Sequence, residues 1–87
     1  MTQIQDTVKT LRLDAVVSSG FSLPRSKATD LILTGRVSHN ALTCIKPDQP
    51  VRENDIISAR GFGKFKIAEA NKLSKKGRII LLIERYQ

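Results

Sequence analysis

The chain predicts an α+β domain in which two packed helices lie on a small antiparallel β-sheet that a C-terminal β-hairpin extends. Three observations carry this. Apolar residues recur at helical spacing in the first part of the chain, the period becomes extended after Gly35, and the last third holds two long strand-like runs around Ser74 to Gly77. With 87 residues and 40% hydrophobic content, one domain (1–87) is expected, divided into a core at 11–60 and a β extension at 61–87. A chain of this size buries roughly 60% of its unfolded surface and has no room for a deep substrate cavity.

Met1 to Lys9 carries Ile4 and Val8 in polar surroundings, and its Thr-Val-Lys-Thr end favours an extended segment. Leu11 to Ser19 places Leu13, Val16 and Val17 on one helical face with Arg12 on the other side, and Gly20 is the expected stop. Phe21 is expected to pack between this helix and the next across a very short connection. The second helix starts near Pro24, which suits a first turn, turns Ala28, Leu31 and Ile32 inward and ends at Gly35. Arg36, Ser38 and Asn40 then alternate with Val37 and His39, the polar set toward solvent and the others toward the helices. Asn40-Ala41 is the tight turn and Leu42 to Ile45 the return strand. The prolines of Lys46 to Pro50 mark a loop, Glu53-Asn54-Asp55 a turn, and Ile56 to Arg60 a further strand. In the extension, Phe65 is in step with Ile67 as core, Phe62 between two glycines is read as exposed, and Arg78 to Tyr86 is apolar on both faces, as in a central or doubly covered strand.

Charge narrows the function. Fifteen Lys plus Arg against eight Asp plus Glu give a formal net charge of +7, a field that attracts polyanions, of which nucleic acid is the common cytoplasmic example. One Cys and one His exclude an internal disulfide framework and a Cys/His zinc site. No apolar run is long enough for a membrane span, and the N-terminus lacks a signal-peptide pattern, so a cytoplasmic location is expected. Ser26 and Cys44 are the nucleophile candidates, and no spacing places a base with an orienting carboxylate beside either. Without a nucleotide-binding glycine loop, a metal motif or paired carboxylates, a non-enzymatic binding module without cofactor is expected.

The candidate binding stretch is Ser22 to Asn40. Arg25 and Lys27 fall in the first turn of the second helix, where the dipole favours anions and cations await an anionic partner. Asp14 lies two residues from Arg12, a spacing that does not face it along a helix, so a capping or solvated role is expected. His39 is expected to fill the sheet side against the helices, and Lys72, Lys75 and Lys76 to be a solvated turn. Phe62 and Phe65 beside Lys64 and Lys66 look like a stacking platform with phosphate grips.

Taken in order, Arg12-Leu13-Asp14, Arg25-Ser26-Lys27-Ala28, Gly35-Arg36-Val37-Ser38-His39-Asn40 and Asn54-Asp55-Ile56-Ile57 resemble the S4 RNA-binding domain over about Leu11 to Arg60. The resemblance implies the family's αL motif, two helices on a short β-ribbon. It implies structured RNA, ribosomal RNA or tRNA, as the partner, in association with the ribosome; the residues themselves give no reason to expect a metal or a membrane partner. The implied contacts are Arg12, Arg25, Ser26, Lys27, Arg36, Ser38 and Asn40, and Lys46 and Lys64 complete the candidate set. Two departures stand out: Pro24 replaces a frequent Ser, and Ala41 replaces the usual Gly after Asn40. The tail Gly61 to Ile67 and Lys76-Gly-Arg-Ile is similar to the C-terminal end of an RNA-binding family encoded near cell-division genes, which implies a fragment or a stand-alone copy. The alternatives are an RNA-delivery domain of a larger RNA-modifying enzyme and a basic protein-interaction module.

Overall fold

The computed structural model describes residues 2–86. Its elements run β1 (Thr2–Val8), α1 (Leu13–Phe21), α2 (Arg25–Leu33), β2 (Val37–His39), β3 (Leu42–Thr43), β4 (Ile56–Ala59), β5 (Gly63–Leu73) and β6 (Ile79–Tyr86). The strands form one six-stranded sheet in the order β1-β6-β5-β4-β2-β3, with every neighbouring pair antiparallel. This is the expected α+β class. The N-terminal segment is extended, and it pairs with β6 from Thr2↔Arg85 to Val8↔Ile79, so the first and last described strands lie side by side.

Helix α1 does not stop at Gly20. It continues through Phe21 and ends at Ser22, whose φ of 55° is left-handed, with the Leu23 N–H donating to the Ser18 carbonyl at 2.9 Å. Gly20 is needed for packing: a Cβ built there would stand 2.3 Å from Phe65 Cε2. Phe21 turns to the sheet, its ring 5.0 Å from that of Phe65 and 5.8 Å from that of Phe62. Phe62 is therefore half-buried against the core. The start of α1 is closed by the proline-rich loop, since the Leu13 and Asp14 N–H groups donate to the Gln49 and Pro47 carbonyls at 2.9 and 3.0 Å.

Helix α2 follows Pro24 with no side-chain cap. Its C-terminus is closed by Gly35, φ 76°, where the Gly35 N–H reaches the Ile32 carbonyl (3.1 Å) and the Arg36 N–H the Leu31 carbonyl (3.0 Å). That pairing is a Schellman end and aims the chain into β2. Asn40 and Ala41 both hold positive φ, 51° and 72°, which makes the two-residue hairpin turn type I′. The return strand ends at Thr43 instead of Ile45; the Cys44 N–H still donates to the Val37 carbonyl at 3.0 Å, and Lys46 to Gln49 then turn to close α1.

The buried cluster joins both helices to one face of the sheet. Leu13, Val16, Val17 and Ile32 from the helices meet Ile57, Phe65, Ile67, Leu81 and Ile83 from the strands. Strand β6 is central, with Leu81 and Ile83 in this core and Ile80 and Leu82 half-buried on the opposite face.

Candidate nucleic-acid interface

Asp14 is buried, at 4% exposure, and so is not a solvated carboxylate; its Oδ1 accepts the Ala15 N–H at 2.7 Å, which closes a first-turn amide of α1 as the capping role expects. Arg12 donates to it through Nε at 3.2 Å and Nη2 at 3.0 Å, and Arg25 forms an ion pair with it, Nη2 lying 3.2 Å from Oδ2. The helix-facing rule does not apply because Arg12 precedes the helix, with φ −108° and ψ 149°. One buried carboxylate thus sets two guanidiniums whose side chains remain 44% and 57% exposed. Arginine donors held in a fixed plane suit phosphate oxygens.

Ser26 and Lys27 are exposed beside Arg25 in the first turn of α2, which contains no acidic residue. No side chain caps that turn, so its amides and dipole are open to an anion. A second group forms where β2 leaves the helix. Arg36 and Ser38 line a shallow cavity of about 290 Å³ together with Thr43, Ser58 and Arg60, and the Arg60 N–H binds the Arg36 carbonyl at 2.9 Å. Strand register carries this group on through Ser38↔Ser58 and Ser58↔Lys64 to Tyr86, over whose ring the Lys64 ammonium sits at 5.4 Å. Ser58 and Arg60 were not singled out from sequence, because only the strand register brings them beside Ser38 and Arg36.

Asn40 is occupied within the turn. Its Oδ1 accepts the Ile56 N–H at 2.8 Å and its Nδ2 donates to Asp55 Oδ1 at 3.1 Å. His39 meets Asp55, with Nε2 2.7 Å from Oδ2, and is half-buried there. The Arg52 N–H adds a bond to the same oxygen at 3.0 Å. Burial raises the Asp55 pKa, but hydrogen bonds from His39, Asn40 and the Arg52 amide outweigh it, so the carboxyl lies below its ordinary value. Lys46 is exposed on the loop and joins neither arginine group, and Phe65 is fully buried, which removes it from any stacking platform.

Among the described residues, no group of three or more His, Cys, Asp or Glu side chains is placed to hold a metal ion. Among the described residues, no helix is long and apolar enough to cross a membrane.

Comparison with known proteins adds two findings. The family model described as S4 domain matches residues 11–57. The chain is also similar to the ribosome-associated protein quality control protein P2 of Bacillus subtilis (strain 168), 36% identical over 80 residues, covering 92% of this chain and 31% of that protein. It therefore spans about a third of the length of that curated relative.

Proposed function

The chain belongs to the S4 domain family, and from that membership we propose that it is a non-catalytic module that binds structured RNA, either ribosomal RNA or tRNA, in the cytoplasm and in association with the ribosome. The observation that carries this reading is the pair of guanidiniums, Arg12 and Arg25, set by the buried Asp14 at the open mouth of α2. In this reading Ser26 and Lys27 extend that mouth. Arg36, Ser38 and Lys64, joined by Arg60, follow the backbone across the sheet, Lys46 reaches in from its loop, and Asn40 shapes the hairpin that presents them. The ribosome association of the Bacillus subtilis relative supports the choice of RNA.

The test is binding of purified ribosomal RNA across a salt series. At least four neutralised phosphates give a slope of log affinity against log salt of about −3 or steeper. A slope near zero overturns the reading. Lys27→Glu sharpens the test, since Lys27 is exposed and a carboxylate suits a helix N-terminus by about 0.3–1 kcal/mol. The variant is expected to melt slightly higher and bind RNA more weakly. Affinity unchanged by Lys27→Glu would remove the helix mouth from the site.

A further inference from the structure

A second groove, outside the residues that the family match covers on two of its walls, runs between the end of β1, the outer side of α1 and the start of β6. It has a volume of about 490 Å³, and its cations are Lys9, Arg25 and Arg78. Arg78 is fixed from behind: its Nε donates to Thr7 Oγ1 at 3.1 Å and its Nη2 to the Thr7 carbonyl at 3.2 Å. The other guanidinium N–H groups are left for a ligand. Arg25 also lines the groove and is paired with Asp14 at 3.2 Å. The single acidic residue on the lining, Asp6, is engaged by its neighbours, accepting from the Thr7 N–H at 2.8 Å and from Ser19 Oγ at 2.7 Å. Three cations against one carboxylate leave the lining with a net charge of +2.

Two arginines of one groove, each tied to a neighbour, with an exposed lysine between β1 and α1, are an arrangement suited to successive phosphates of one strand. Resting on the RNA-binding reading above, we propose that this groove carries the RNA backbone onward from the α2 mouth, with Arg25 shared between the two sites and Lys9 and Arg78 gripping the phosphates beyond it. The strands outside the family match are then part of the binding surface as well as of the fold, because β1 supplies the Thr7 brace and the chain entering β6 supplies Arg78.

The experiment measures binding of purified ribosomal RNA to the full chain and to three variants over a salt series, with melting curves for each. Lys9→Gln with Arg78→Gln is expected to weaken binding on the order of tenfold and to make the salt slope shallower by about 2. Lys72→Gln with Lys75→Gln removes equal charge; both side chains are exposed at the end of β5 and in the turn after it, and neither lines the groove. That control is expected to keep the parent slope. Arg78 braces β1, so Lys9→Glu alone is the third variant: Lys9 is exposed and makes no side-chain hydrogen bond among the described residues, and its loss of affinity has to appear with an unchanged melting curve. If Lys27→Glu weakens binding while both groove variants bind like the parent, the groove proposal is overturned and the RNA reading stands. Equal losses in the groove and control pairs also overturn it, showing a diffuse field. No binding by the parent chain overturns both.

Discussion

At the scale of single residues, Asp14 and Gly20 show how much a position depends on what the fold brings to it. Asp14 accepts from Arg12 and forms an ion pair with Arg25, so its charge acts on RNA binding in two opposed ways. As a bare charge it repels phosphate, and as a brace it spares the arginines the entropy of being ordered on binding. The brace is expected to win: Asp14→Asn should weaken affinity for ribosomal RNA by about 1 kcal/mol, roughly fivefold, with the salt slope retained. Tighter binding by the variant would show that the carboxylate acts only as a repelling charge. Gly20 gives the opposite of a propensity argument. Glycine inside a helix costs about 0.5–1 kcal/mol relative to alanine. A methyl group at Gly20, however, would fall within 2.3–2.7 Å of three Phe65 ring atoms. Overpacking of that kind costs about 1–3 kcal/mol, so Gly20→Ala is expected to lower the melting temperature, and a higher one would mean that Phe65 can move aside. Neither role was legible in the sequence. Arg12 and Asp14 look mispositioned until Arg12 is seen to lie outside the helix, and the ring that excludes a side chain at Gly20 comes from a distant strand.

At the scale of elements, what was legible is what depends on neighbours in sequence. The Gly35 helix end, the Asn40-Ala41 turn and the hairpin around Ser74 to Gly77 each rest on local backbone chemistry, and each is where the residues place it. Links between elements were not legible. His39 and Asn40 at the tip of the β2–β3 hairpin are tied to Asp55, ahead of β4, which fixes the hairpin against the sheet. This tie has a pH signature. Because the folded Asp55 pKa is lowered, its contribution to stability is present above the unfolded value, about 3.9, and is lost as pH falls through the folded value. Asp55→Asn is therefore expected to reduce stability at neutral pH and to flatten the acid limb of a urea-midpoint against pH curve. An acid limb identical to that of the parent would mean that Asp55 makes no net contribution.

At the scale of the whole molecule, the family motif and the folding unit do not coincide. The match to the S4 domain covers residues 11–57, yet four of the fully buried side chains, Phe65, Ile67, Leu81 and Ile83, come from the extension. Gly20 and Phe21 of α1 pack directly on Phe65, so removing β5 and β6 would uncover the inner face of the first helix and leave β1 without its partner. A chain of about 60 residues already buries only about 60% of its unfolded surface, which gives little margin for such a loss. The length and alternation of the last two runs made a hairpin legible. That β1 would close against β6, and that this outer half would hold the core, required pairing between the two ends of the chain, which no local pattern encodes. From this packing we propose that the described residues, 2–86, fold as one cooperative unit. A chain truncated after Arg60 is expected to lose its cooperative urea transition, as followed by circular dichroism, and with it the salt-dependent binding of ribosomal RNA. A truncated chain that unfolds cooperatively and binds with the parent slope would show that the motif folds and works without the strands that complete its core.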